Sequence, residues 1–106
     1  MSKIRDRETS LAVYDVLVDR LSTLGPFTTE VKKTSLHLVK ERAFLGVHPR
    51  ERGLLLNIVT TSPIETDRLH KFNQVSRNRC HNEVLVEDVE EVDAELISWI
   101  VSAYEL

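Results

Sequence analysis

Residues 32–60 constrain the fold of this chain more than any other segment, because apolar and polar residues alternate there in three consecutive short runs. Residues 34–39, 43–48 and 54–59 each have the two-residue period of a β-strand. The intervening sequences KER and PRERG have turn composition, and Gly53 allows a backbone with positive φ. Short strands joined by short turns predict an antiparallel meander.

The alternation also predicts which side chains share a face of this sheet. One face collects Leu36, Leu38, Ala43, Leu45, Val47, Leu54, Leu56 and Ile58. The opposite face collects Ser35, His37, Val39, Phe44, Gly46, His48, Leu55, Asn57 and Val59. Since an antiparallel sheet can bury one face and keep the other wet, we expect His37, Asn57 and some of the cations on the uncovered face.

Three further segments, residues 28–33, 68–72 and 81–87, can also be extended. The second is ambiguous, because SPIE at residues 62–65 has the form of a capping box with proline at the first helical position. Residues 63–72 therefore fit a short helix and a strand equally well. We expect a sheet of about four to five strands in total.

Two amphipathic helices flank the strands. In residues 7–24 apolar side chains recur every three or four positions, with Thr9 or Ser10, or alternatively Asp6, as N-cap, and Gly25–Pro26 ends the pattern. In residues 89–104 the same period follows Asp88, the predicted N-cap. Both helices need an apolar partner surface, so the sequence predicts one α+β domain over residues 1–106 with both terminal helices packed on one face of the sheet.

Composition points to a soluble, cytoplasmic protein. The chain has one cysteine, Cys80, and so cannot form an internal disulfide framework. No apolar run approaches the roughly 20 residues that span a bilayer, and the polar N-terminus lacks a signal-peptide core. We therefore expect no membrane association.

The formal net charge of −3 conceals a strong segregation of charge. Residues 32–81 hold ten Lys and Arg against four Asp and Glu, together with all four histidines. Residues 82–106 hold eight acids and no Lys or Arg. Such segregation bears on partners rather than on fold.

The series KTSLHLV, AFLGVHPR, GLLLNIV and HNEV, followed by EEVDAELISWIVSAYEL, resembles a bacterial family of domains of unknown function, number 5655. The resemblance runs from about Leu11 to the end of the chain. It implies a small domain that occurs alone or appended to larger proteins, with no established activity or catalytic residues. The layout also resembles the frataxin-like, or YdhG-like, arrangement of two helices on an antiparallel sheet, which is an analogy of fold and not of function.

No motif for catalysis or metal binding occurs in the sequence. The histidines lack the short ligand spacings of metal sites, and adjacent Cys80 and His81 point to opposite faces of a strand. No strained serine elbow or phosphate-binding glycine loop is present. We therefore expect no metal and no cofactor, and a binding module rather than an enzyme; an enzyme acting on a small anion near His37, His48 and Arg50 is a weaker alternative.

The cations and histidines at strand ends and turns carry the functional hypothesis. Cations in such positions can contact phosphates or another anionic ligand without being buried. The candidate ligand-binding residues are His37, Lys40, Arg42, His48, Arg50, Arg52, Asn57, His70, Lys71, Arg77, Arg79 and His81. The sequence thus predicts a module for nucleic acid or another anion. The alternative is a protein-interaction or homodimerising domain, in which the basic sheet meets an acidic C-terminal helix.

Overall fold

Two helices and a six-stranded antiparallel sheet form the structure, a computed structural model that describes residues 2–50 and 53–106. The first helix, α1, spans Ser2–Leu21, and the last, α2, spans Ala94–Tyr104. The strands are β1 (Thr28–Val31), β2 (Leu36–Val39), β3 (Ala43–Pro49), β4 (Leu54–Thr60), β5 (Leu69–Ser76) and β6 (Arg79–Val86). The α+β class and the flanking helices are as predicted, but the sheet has six strands rather than four to five.

The strand order is β1-β2-β3-β4-β6-β5, so the predicted meander continues only as far as β4. β6 pairs with β4, and β5 lies outside β6 at the edge of the sheet. Residues 61–68 carry the chain past the position of β6 to that edge. The capping-box sequence at residues 62–65 forms no helix. It is part of this irregular crossover.

Asn82 of β6 fastens the crossover to the sheet. Its side chain is fully buried, and Nδ2 donates to the carbonyl of Ile58 at 3.0 Å and to Oγ1 of Thr60 at 2.8 Å. Oδ1 accepts from the backbone N–H of Ile64 at 3.1 Å. One amide thus links the end of β4 to the crossover and satisfies polar groups that would otherwise be buried unpaired.

The core lies between the helices and one face of the sheet. Both helices bury their apolar stripes against the inward-facing residues of β2, β3, β4 and β6. The most deeply buried apolar side chains are Val13, Leu17, Leu21, Leu38, Leu45, Leu56, Ile58, Val84, Val86, Leu96 and Ile100. This is the face that the alternation assigned to the core.

Phe44 departs from the predicted faces. The register of β2 against β3 shifts after Leu38, so that Val39 pairs with Ala43 where regular pairing would give Phe44. Phe44 is buried in the core, and its ring meets those of Phe27 and Tyr104 edge to face. The bulge therefore separates Phe44 from Gly46 and His48, with which the alternation grouped it, and turns its ring into the core.

The helix boundaries also differ from those predicted. α1 begins at Ser2, so Asp6, Thr9 and Ser10 all lie inside it and none is its N-cap. Gly25 has φ 138°, as expected for a residue that follows a helix end, but a turn over residues 22–24 separates it from Leu21.

At the other end of the chain, Asp88 caps a 3₁₀ turn at Val89–Glu91 rather than the main helix. The buried Val92 interrupts helical geometry, and Asp93 then caps α2 by accepting from the backbone N–H of Leu96 at 2.9 Å. Within the described residues, no helix combines the length and apolar character needed to cross a membrane.

Candidate functional site

A row of polar residues crosses the open face of the sheet, the face turned away from the helices. The pairing register places His37, Gly46, Asn57 and Glu83 opposite one another on β2, β3, β4 and β6. Directly opposed residues of neighbouring strands share a face. His37, Asn57 and Glu83 are half-buried there, and Leu55 and Val59, on the same face of β4, are buried.

Gly46 forms a low point in this row. A Cβ at Gly46 would lie 3.3 Å from Cβ of Asn57, 3.4 Å from Nε2 of His48 and 3.7 Å from Cδ2 of His37. The rings of His37 and His48 are 6.4 Å apart between centroids and meet edge to face. Two histidines and an asparagine therefore surround a position that has no side chain.

A depression of about 180 Å³ opens over this low point. We call it the open-face depression, and its lining residues are His37, Arg42, Ala43, Leu45, Gly46, Asn57, Val59, Arg79 and His81. Five of them are among the twelve residues predicted for a ligand site. These five residues line one concave surface, and the other predicted residues that the structure describes do not line it.

Arg42 and Arg79 supply the positive charge of the depression. Arg42 lies in the turn between β2 and β3, and Arg79 is the first residue of β6. Both also line a second cavity of about 240 Å³ near Tyr104 and Leu106 at the end of α2, so they stand between the two spaces. Neither guanidinium forms a salt bridge within the part of the chain that the structure describes.

Asn57 and His81 form a hydrogen-bonded pair in the wall of the depression. Nδ2 of Asn57 lies 3.2 Å from Nδ1 of His81. In this orientation of the amide, Nδ2 donates and Nδ1 of His81 accepts, and a neutral ring then carries its proton on Nε2. Oδ1 of Asn57 is buried and has no hydrogen-bond partner among the described residues.

Burial keeps two of these histidines neutral. The pKa of His48 is lowered mainly by burial, and further by the positive charge of Arg50 and by His37. The pKa of His81 is lowered by burial and by Arg79. Glu83 opposes both shifts without reversing them. The rings therefore act near neutral pH as hydrogen-bonding groups, and the fixed positive charge comes from the arginines.

Other predicted site residues lie away from the depression. His70 and Lys71 are exposed on the edge strand β5, and Arg77 is exposed in the turn that follows. Nζ of Lys40 sits 4.5 Å from the ring centroid of Tyr104, where it makes a cation–π contact with α2. Arg50 follows β3 beside His48, and Arg52 lies outside the described residues.

Arg68, a further cation of the basic segment, has a structural role. Its Nη1 pairs with both carboxylate oxygens of Asp93 at 3.0 and 3.1 Å and with Oε1 of Glu95 at 3.1 Å, and its Nη2 donates to the carbonyl of Glu91 at 2.8 Å. Its guanidinium also lies over the ring of Trp99. Two acids of the C-terminal helix region are thus neutralised within the chain.

Sequence reasoning missed the part that Gly46 plays in the site. The available signal was a glycine in the middle of a predicted strand, between Leu45 and Val47, since glycine inside a strand often marks a close approach of another group. Among the described residues, no cluster of three or more His, Cys, Asp or Glu side chains has the geometry to hold a metal ion.

Comparison with protein families gives a match over nearly the whole chain. The family model described as a domain of unknown function, DUF5655, matches residues 2–106. The resemblance seen in the strand and helix motifs is therefore confirmed, and it extends to the N-terminal residues. No curated protein and no solved structure matches the chain.

Proposed function

We propose that this chain, which belongs to the DUF5655 family of domains of unknown function, is a binding module that holds a small anionic ligand in the open-face depression. The observation that carries the proposal is the pair of guanidinium groups, Arg42 and Arg79, that line the same concave space without a carboxylate partner among the described residues. Arginine is suited to carboxylate and phosphate groups because its planar donors match their oxygens.

The size of the depression favours a small ligand. Its volume of about 180 Å³ lies below the range of about 300–1,000 Å³ that is typical of pockets for drug-sized molecules. A single carboxylate or phosphate group with a few attached atoms fits this volume. The adjoining cavity of about 240 Å³ provides room for a longer ligand beyond the arginines.

The character of the lining also supports a binding role. Val59 is almost completely buried, and Gly46 exposes backbone to the depression without a side chain in the way. His37 and His81 add hydrogen-bonding groups beside the arginines. An apolar floor with a few convergent polar groups is the usual composition of a small-molecule site.

Nucleic acid and protein partners have less support. His70, Lys71 and Arg77 lie on the exposed edge hairpin, apart from the lining of the depression, so the cations do not form one strip. Homodimerisation by charge would use the acids of α2, but Asp93 and Glu95 already pair with Arg68. Both partners remain alternatives that binding and sedimentation measurements can detect.

Neutralising the arginines tests the proposal. We expect Arg42→Gln and Arg79→Gln each to weaken the binding of inorganic phosphate by about tenfold, because a hydrogen bond to a charged group is worth about 1.5–3 kcal/mol. Isothermal titration calorimetry at low ionic strength measures the affinity. The matched control is Arg77→Gln, which removes the same charge from the exposed β5–β6 turn and should change the affinity less than twofold.

The Arg77→Gln control distinguishes phosphate binding at one site from a general effect of the net charge of the protein. If Arg77→Gln weakens phosphate binding as much as Arg42→Gln, the attraction is diffuse and the proposed site is wrong. Strong binding of single-stranded DNA or RNA that is lost with Arg77→Gln but kept with Arg42→Gln would favour the nucleic-acid alternative instead.

A further inference from the structure

The carbonyl oxygen of the Asn57 side chain bears on which hydrogen-bonding groups the ligand carries. The amide nitrogen is engaged by His81, while Oδ1 is buried and makes no hydrogen bond with any described residue. A buried acceptor without a donor costs about 1–3 kcal/mol. Such a group in a native structure calls for a partner, and Asn57 lines the depression proposed to hold the ligand.

The side chains opposite Asn57 do not donate a hydrogen bond to Oδ1, so this acceptor is left for a ligand. Gly46, directly opposite on β3, presents no side chain. Glu83, opposite on β6, is itself an acceptor when ionised. His81 accepts through Nδ1 and therefore does not donate to the amide. The two arginines that line the same depression require an acceptor, so they and Oδ1 of Asn57 make opposite chemical demands on a ligand that contacts both.

We propose that the ligand of the open-face depression is an anion that carries a hydroxyl or N–H donor next to its charged group. This inference rests on the proposed function and adds a chemical class to it. The charged group faces Arg42 and Arg79, and the adjacent O–H or N–H donates to Oδ1 of Asn57. Hydroxy acids, acylated amino acids and singly protonated phosphates have this combination of groups, whereas simple carboxylates and sulfate do not.

Two pairs of small probes of nearly equal size test the inference. Glycolate differs from acetate by one hydroxyl group, and hydrogen phosphate differs from sulfate chiefly by one O–H. At neutral pH and fixed ionic strength we expect the unmodified protein to bind the donor-bearing member of each pair about tenfold more tightly, because the other member leaves the buried oxygen unpaired. Competition titration with calorimetric detection gives both ratios.

The variant Asn57→Ala checks that the preference originates at this amide. We expect the glycolate-to-acetate affinity ratio to fall toward one, and circular dichroism shows whether the variant is folded. If that variant does not fold, the two ratios in the unmodified protein still decide the question.

The outcomes separate this inference from the proposed function. Equal affinity for the members of each pair overturns the donor requirement and leaves the anion site standing. Tighter binding of acetate and sulfate also overturns it, and would mean that the amide presents Nδ2–H to the ligand. Absence of binding by all four probes contradicts the anion site and the donor requirement together.

Discussion

At the scale of single residues, the two strand-associated glycines have different reasons to be glycine. Gly53 has φ 88°, and a Cβ there would collide with the carbonyl oxygen of Val86. Gly46 has no such backbone restriction, and a Cβ there would meet side chains at 3.3 Å or more. Gly53 is therefore required by the fold, while Gly46 shapes the candidate site.

The same substitution at both glycines gives a matched pair. We expect Gly53→Ala to lower the free energy of unfolding by about 2 kcal/mol or more, because the new methyl group collides with backbone in a conformation that favours glycine. Gly46→Ala should change it by less than about 1 kcal/mol, since neighbouring side chains can shift slightly. Urea denaturation measures both, and comparable losses would contradict this distinction.

Part of the site follows from the sequence alone. His37 and Asn57 each alternate with apolar residues that the core requires, so the two-residue period predicts both on the face turned away from the core. The approach of Arg79 and His81 to Asn57 could not be predicted in the same way. It depends on β6, rather than β5, pairing with β4, and local sequence does not determine which of two later strands takes that position. Gly46 was assigned to the correct face but not to the site.

At the scale of secondary-structure elements, the crossover between β4 and β5 explains the strand order. β4 and β5 both run antiparallel to β6, which lies between them. Asn82 holds the crossover at its start, and Arg68 ties its end to Asp93, the N-cap of α2, and to Glu95 in the first turn of α2. The capping-box pattern in the crossover did not predict this, because long-range hydrogen bonds override a local helix signal.

Removing the Asn82 amide should destabilise the protein strongly. Asn82→Ala removes the hydrogen bonds to the half-buried backbone N–H of Ile64, the carbonyl of Ile58 and Oγ1 of Thr60, so we expect a loss of about 2–4 kcal/mol of unfolding free energy. Asn73→Ala, on the exposed edge strand β5, is the control and should change stability by no more than about 0.5 kcal/mol. Thermal denaturation followed by circular dichroism compares the two, and a loss below about 1 kcal/mol for Asn82→Ala would refute the anchoring role.

At the scale of the whole molecule, two histidines on the open face of the sheet make the stability of the fold depend on pH. His48 and His81 have pKa values below the ordinary 6.5 in the folded state, because burial disfavours their charged forms. The unfolded chain therefore binds more protons than the folded chain at pH values between those lowered pKa values and 6.5. The stabilisation is fully present above pH 6.5 and is lost as the pH falls through this window.

We accordingly expect the midpoint of urea unfolding to decrease when the pH is lowered from 7.5 to 5. The pKa of Asp93 is also lowered, chiefly by the N–H of Leu96, but its stabilisation is lost only at pH values below about 4. The double variant His48→Gln, His81→Gln should show a flatter dependence between pH 7.5 and 5. An unchanged slope in that variant would mean that other groups control acid sensitivity.

The fold class and both helices were predictable because amphipathic periods and end signals are local. The sheet order was not, since it is set by contacts between residues far apart in the sequence. The concentration of arginines and histidines in one depression is a consequence of that order, and the proposed function rests on it.

The most direct test of this account is a titration of the isotopically labelled protein with inorganic phosphate, followed by amide chemical shifts. We predict saturable shifts that are largest at Arg42, Gly46, Asn57, Arg79 and His81, with small shifts at His70 and Lys71 on the edge strand. Shifts concentrated on the edge strand and its turn, or shifts that do not saturate, would contradict a ligand site in the open-face depression.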